Sequence, residues 1–164
     1  MAEAESYTVT SSPYPARTKT ASASINSIPT TATSIYFADK IVLTVTQAGR
    51  LAHWLHVPLD TESPASEAPL EPSFTDPPDD ENSAGPPSDL LPLSHLTATT
   101  VLGGTVPVLD TLGQLLATQI ASAIATRDAA ERRMVVVGLG LDKGLVGRGR
   151  EGFAEVVGLV LGVL

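Results

Sequence analysis

Alternating hydrophobic and polar residues dominate the chain from Arg17 to Val57. In the segment Ile41–Gln47, successive side chains fall on opposite sides, and β-branched residues are abundant; this period of two is typical of a β-strand. The pattern predicts four strands, at residues 17–25, 31–37, 40–47 and 50–57. Because connections as short as Ala38-Asp39 and Ala48-Gly49 join antiparallel neighbours, we expect an antiparallel meander.

The second half of the chain alternates between strand and helix patterns. A fifth strand is predicted at about 95–102, where Gly103-Gly104 ends it, and a helix of about 20 residues is predicted from Pro107. Residues 134–141 indicate a central strand that is apolar on both faces, and an apolar stripe from Phe153 to Leu164 indicates a final helix. The predicted fold class is therefore α+β, an antiparallel sheet of about six strands with two helices on one face.

One face of this sheet is left without a cover. Since two helices cover only one side and residues 134–141 are apolar on both, we expect the protein to dimerise through the other sheet face. The candidate partner-binding residues are the semi-polar strand residues Thr44, Thr46, Trp54 and His56, because tryptophan is enriched at binding hot spots. Burial of the same residues in the protein's own core is the alternative.

The acidic charge is concentrated in one segment. From Pro58 to Ser94 the chain holds nine prolines, nine acidic residues and no Lys or Arg. Such a segment cannot build a core, so it is predicted to be a disordered insert, and residues 1–16 a flexible tail. The chain outside 58–94 holds ten basic and nine acidic residues, and residues 17–164 are predicted to form a single domain interrupted by the insert. A tolerated insertion is the simplest interpretation; phosphorylation at Ser63 or Ser88 is the regulatory alternative.

Composition excludes several classes of protein. A net charge of −8 with ten scattered basic residues argues against nucleic-acid binding. The absence of cysteine excludes a disulfide scaffold, a thiolate zinc site and a cysteine nucleophile, and is compatible with a reducing compartment. With Glu3 and Glu5 where a signal peptide needs positive charge, and no long uninterrupted apolar run, we expect a soluble intracellular protein with no membrane partner.

No catalytic, cofactor-binding or metal-binding residue is predicted. The glycines from Gly138 to Gly144 resemble a phosphate-binding turn, but their spacing is G-x-G-x-x-x-G and no Gly-Lys-Ser/Thr follows. His53 and His56 lie three residues apart on a strand, which places them on opposite faces, so they cannot share an ion. His95 is read as an ordinary boundary residue, and no nucleophile motif is found.

Two segments of the sequence are similar to the proteasome assembly chaperone 3 family. The first is Ala32–Arg50, in which Ile41–Gln47 with Gly49 is the most specific part, and the second is Leu96–Gly103 followed by Pro107. The order of the two segments and the spacing between their residues resemble those of the family. The long acidic insert and the glycine-rich final helix depart from it.

This resemblance implies a chaperone without catalytic activity and without cofactors. It implies pairing with a related assembly chaperone, as a heterodimer or as a homodimer in isolation, and binding of proteasome alpha subunits while the 20S alpha-ring assembles, in the cytoplasm and also in the nucleus. Two alternatives stay open: a small nucleotide-binding enzyme that uses the Gly138–Gly144 turn, and a generic α+β trafficking scaffold.

Overall fold

The computed structural model describes residues 16–60 and 92–164. The predicted tail and most of the predicted insert lie outside these ranges. In chain order the elements are β1 (Arg17–Ile25), β2 (Ile28–Tyr36), β3 (Lys40–Gln47), β4 (His53–Val57), β5 (Thr99–Leu102), α1 (Pro107–Arg127), β6 (Met134–Gly140), α2 (Gly144–Gly147) and α3 (Gly149–Leu161).

The first three strands form the predicted meander. β1 and β2 are joined by a two-residue turn in which Asn26 and Ser27 have φ of 54° and 59°. Positive φ at both central residues is the geometry of a type I′ turn, whose twist matches that of the flanking strands. β3 then pairs antiparallel with β2, with Thr33 opposite Thr44.

The prediction that β4 continues the meander beside β3 is wrong. The strand order is β1-β2-β3-β6-β4-β5, so β6 lies between β3 and β4. β6 is parallel to β3 and antiparallel to β4, which makes the sheet mixed. The reason is burial: as the strand that is apolar on both faces, β6 occupies the centre, where it is sheltered best.

A glycine makes this crossing possible. The chain passes from β3 to β4 over the end of β6, where the Ala52 amide donates to the Leu139 carbonyl at 2.9 Å. The Arg50 carbonyl oxygen lies only 1.6 Å from where a Cβ on Gly140 would be placed. No other residue fits at position 140 without moving the backbone.

The helices pack on one face of the sheet, as predicted. Alternate residues of β3 and β6 face the helices and are buried, and α1 and α3 supply the opposing layer of the core. The fully buried apolar side chains include Ile41, Leu43, Val45, Leu55, Val135, Val137, Leu139, Leu116, Ile120 and Val156. The α+β class with six strands is therefore confirmed. The predicted final helix is confirmed as α3, although the helix ends at Leu161, before the end of the predicted stripe at Leu164. Gly149, with φ of 53°, separates α3 from the single turn α2.

α1 is the one helix of the described residues that is long and apolar enough to cross a membrane by length and composition. In its most apolar window, 44% of the residues are buried inside the protein. Its apolar character therefore has an explanation in the core of the fold.

Both ends of the predicted insert are tied to the core. Leu59 is buried beyond β4, and the Leu93 amide donates to Ser122 Oγ of α1 at 2.8 Å. The packed domain thus extends to Leu59 on one side and begins again by Leu93 on the other. The part of the predicted insert that lies outside the described residues is 61–91.

Candidate interaction surface

The sheet face turned away from the helices, called the outer face below, is a broad surface of half-exposed side chains. Among residues 16–60 and 92–164, no helix lies over it. From β2 across β3 and β6 to β4, its residues are Thr31, Thr33, Ile35, Lys40, Val42, Thr44, Thr46, Met134, Val136, Gly138, Trp54 and His56. Lys40, at the start of β3, is the one acidic or basic side chain among them besides His56, and it is paired with Asp39 at 3.0 Å. Depletion of charge is typical of the core of a protein interface.

All four predicted partner-binding residues lie on the outer face. Thr44 and Trp54 stand on either side of Gly138, which pairs with Thr44 on β3 and with Trp54 on β4. His56 stands beside Val136 in the next row, and Thr46 lies opposite Gly140. Their role in partner binding stays a prediction; the fold places them on one continuous surface.

The Trp54 indole lies across Gly138. A Cβ at position 138 would stand 2.8 Å from the Cη2 and Cζ3 atoms of the ring. The glycine therefore provides the space into which the large aromatic side chain folds down on the sheet. This leaves the indole partly buried against its own sheet and partly open to a partner.

The outer face has an apolar end. A concavity of about 380 Å³ at the β4–β5 edge is lined by Trp54, His56, Val136, Val101 and Leu102. Val101 and Leu102 are 63% and 66% exposed, the highest values among large apolar side chains of the described residues. Exposed apolar side chains clustered around an aromatic ring mark an interaction site.

The opposite end of the outer face is polar but uncharged. Thr20 of β1 and Thr33 of β2 share a hydrogen bond of 3.1 Å, and Ser22 and Thr31 share one of 2.9 Å. These cross-strand hydroxyl pairs satisfy one another, which lowers the cost of removing them from water. A partner can therefore cover this end without leaving an unpaired charge.

The two strand histidines lie on opposite sides of the sheet, as predicted. His53 is buried beneath α1, where its Nε2 lies 3.1 Å from Thr100 Oγ1 and 3.1 Å from Asp110 Oδ1. Thr100 and Gln114 each donate a hydrogen bond of 2.8 Å to the Asp110 carboxylate. No sequence pattern predicts this cluster, because its members come from three elements and share no spacing.

The arrangement around His53 differs from a nucleophile–histidine–acid relay. In such a relay the hydroxyl and the carboxylate contact different ring nitrogens, whereas Thr100 and Asp110 approach the same one. The cluster instead fastens β4 and β5 to the start of α1. In the described ranges, no group of three potential ligand side chains is placed to hold a metal ion.

Two backbone amides of the Gly138–Gly144 turn, those of Asp142 and Gly144, are already occupied. Gln47, fully buried at the end of β3, accepts from the Asp142 amide at 2.7 Å, and the Asp142 carboxylate accepts from the Gly144 amide at 2.8 Å. A phosphate would need these donors and would meet the Asp142 charge. The helix that follows, α2, has only four residues.

Comparison with known proteins supports the architecture. No protein-family model and no curated protein matches the sequence. A chain from the crystal structure of a chaperone complex for yeast 20S proteasome assembly superposes with a TM-score of 0.51, covering 88% of this chain and 96% of that chain at 13% identity. The protein therefore shares its fold with a component of a proteasome assembly chaperone complex.

Proposed function

We propose that this protein is an assembly chaperone of the 20S proteasome. It pairs through the outer face with a related chaperone and binds alpha subunits while the alpha-ring assembles. It acts in the cytoplasm and also in the nucleus, and it has no catalytic activity of its own.

The observation that carries the proposal is the uncovered outer face, where Lys40 at the start of β3 is the one acid, lysine or arginine, on a fold shared with a component of a proteasome assembly chaperone complex. A sheet covered by helices on one side can pack its second face against another sheet, with the side chains of the two faces interdigitating. Trp54 and its apolar surroundings provide the anchor that such pairing needs.

The buried polar side chains of the described residues are engaged in the fold itself. In the part of the chain that the structure describes, every buried polar side-chain atom has a hydrogen-bond partner. Gln47, for example, donates to Thr30 and accepts from the Asp142 amide. Polar groups engaged in this way hold the fold together, which favours a binding role over a reactive one.

Native mass spectrometry of the tagged protein, gently purified from its own cells, tests the proposal. We expect a species of two chaperone chains, and larger complexes that contain proteasome alpha subunits but lack mature catalytic subunits. An isolated single chain, with alpha subunits absent from every complex, would contradict it.

Two variants test whether pairing uses the outer face. Trp54→Ala is expected to weaken pairing by about 2 kcal/mol, or roughly 30-fold, because the indole is the largest side chain there. Leu161→Gln removes an exposed apolar side chain from α3, on the helical side, and serves as the matched control. Equal pairing by both variants, with folding verified by circular dichroism, would show that the outer face is not the interface.

A further inference from the structure

A second apolar surface lies on the helical side of the molecule, away from the outer face. It is a groove between α1 and the α2–α3 segment, with a volume of about 520 Å³. Val108 and Leu115 line the α1 wall, and Val146 and Phe153 line the opposite wall. The groove is thus separate from the surface proposed to pair with another chaperone.

The groove gathers apolar side chains that the fold leaves in water. Val108 is 55% exposed, Leu115 47% and Val146 36%. They account for three of the eight exposed large apolar residues in the described ranges. Since single exposed apolar residues are ordinary but contiguous ones are not, this clustering points to a docking site.

The charged side chain that lines the groove is basic. Arg150 lies at its edge, and no described residue forms an ion pair or hydrogen bond with this guanidinium. The neighbouring Arg148, in contrast, is paired with Glu151 at 3.1 Å. Because no acidic residue lines the groove, an occupant with a carboxylate near Arg150 would supply the missing partner.

The walls of the groove restrict the backbone conformation of an occupant. Both walls are helices, so no strand edge is available for an extended peptide. The lining also contains no tryptophan or tyrosine, the residues that usually hold a polyproline segment. A helix satisfies its own backbone and needs neither.

The length of the groove fits two helical turns. Val108 and Leu115 are seven residues apart on α1, which corresponds to about 10 Å along the helix axis. The apolar residues of an amphipathic helix at positions i, i+3, i+4 and i+7 span the same distance.

We propose that this groove binds an amphipathic helix of a partner protein. Its apolar face packs between Val108, Leu115 and Phe153, and an acidic side chain at one end pairs with Arg150. Since the groove and the outer face lie on opposite layers, both can be occupied at the same time. The inference concerns a different surface and stands or falls independently of the proposed function.

The test uses the full chain and a fluorescent, stapled helical peptide of about 15 residues. The peptide has leucine at i, i+3, i+4 and i+7 and glutamate at one end; a second version has lysine in place of glutamate. We expect saturable binding of the glutamate peptide by fluorescence anisotropy, and amide NMR shifts confined to α1 and the α2–α3 segment. Leu115→Glu is expected to weaken binding at least about tenfold. This residue is exposed on a helix, so the variant should fold; Val146→Ser is the second variant.

A charge exchange tests the role of Arg150 separately. Arg150→Glu is expected to reverse the preference, so that the lysine peptide binds more tightly than the glutamate peptide. Leu161→Gln and Trp54→Ala, which lie outside the groove, are expected to bind like the unmodified protein.

Several results would overturn the proposal. These are absence of saturable binding up to about 1 mM, unchanged affinity in both Leu115→Glu and Val146→Ser, or NMR shifts confined to the outer face. Equal affinity for the two peptides would refute the charge pairing. A self-associated protein that Leu115→Glu dissociates would show that the groove is filled by a second copy instead.

Discussion

Gly138→Ala is predicted to alter the outer face through its most prominent side chain. The added methyl group would stand 2.8 Å from two carbons of the Trp54 ring. Since carbon atoms pack at about 3.5 Å or more, the indole must move outward by about 0.7 Å. We expect the ring to tilt off the sheet and become more exposed.

The expected loss of stability is the difference between two effects. Overfilling a packed site costs about 1–3 kcal/mol, whereas replacing glycine with alanine in a strand recovers about 0.5–1 kcal/mol of chain entropy. The net destabilisation is therefore about 1 kcal/mol. Pairing with the partner should weaken by about tenfold, because the displaced ring no longer presents the same surface.

The assay is simple, because Trp54 is the only tryptophan in the chain. Its emission is expected to shift to longer wavelength in Gly138→Ala, and urea unfolding followed at the same wavelength reports the change in stability. Gly158→Ala is the control: nothing lies within 4 Å of the added Cβ, and alanine favours the helix, so a gain of up to about 1 kcal/mol is expected. An unchanged emission spectrum, together with a gain in stability like that of Gly158→Ala, would refute the reasoning.

Three further predictions concern other parts of the fold. The Arg133 guanidinium, hydrogen-bonded to Glu131, lowers the pKa of this carboxyl to about 2. The stability that this pair contributes is therefore complete above about pH 4.5 and is lost as the pH falls towards 2. In Glu131→Gln, the free energy of unfolding measured between these pH values should fall less steeply. Thr100→Val removes the hydroxyl that contacts His53 and Asp110. Urea unfolding should show that the free energy of unfolding falls by about 1–2 kcal/mol. An unchanged midpoint would mean that the cluster does not fasten β5 to α1. Calorimetric titration with ATP or NAD should give no heat, since the Asp142 and Gly144 amides are occupied and the Asp142 carboxylate would repel a phosphate. A saturable signal would reopen the nucleotide-binding alternative.

Local patterns predicted the strands and helices well. β1 and β3 have the predicted bounds, because alternation and turn residues are both properties of neighbouring residues. The position of β6 between β3 and β4 is a long-range property. The apolar character of Val135–Val137 on both faces indicated a central strand, but no local signal identified its neighbours.

For the candidate surfaces too, only the features that depend on neighbouring residues could be predicted. A period of two was sufficient to place Trp54 and His56 on one face and His53 on the other. It did not show that Gly138 would lie between Thr44 and Trp54, since this depends on the insertion of β6. The groove beside Arg150 was missed because an apolar stripe on α1 predicts packing, and only the angle between the helices leaves part of that stripe open.

The central position of β6 has a consequence for synthesis on the ribosome. β3 and β4 are complete early, yet the strand that joins them begins at Met134, after α1 has been made. Until then both strands have an unpaired edge, and the outer face exists only as two separate pieces. A nascent or prematurely terminated chain therefore lacks the surface that would recognise a partner. Under the proposed function, pairing through the outer face therefore requires a chain whose translation has passed β6.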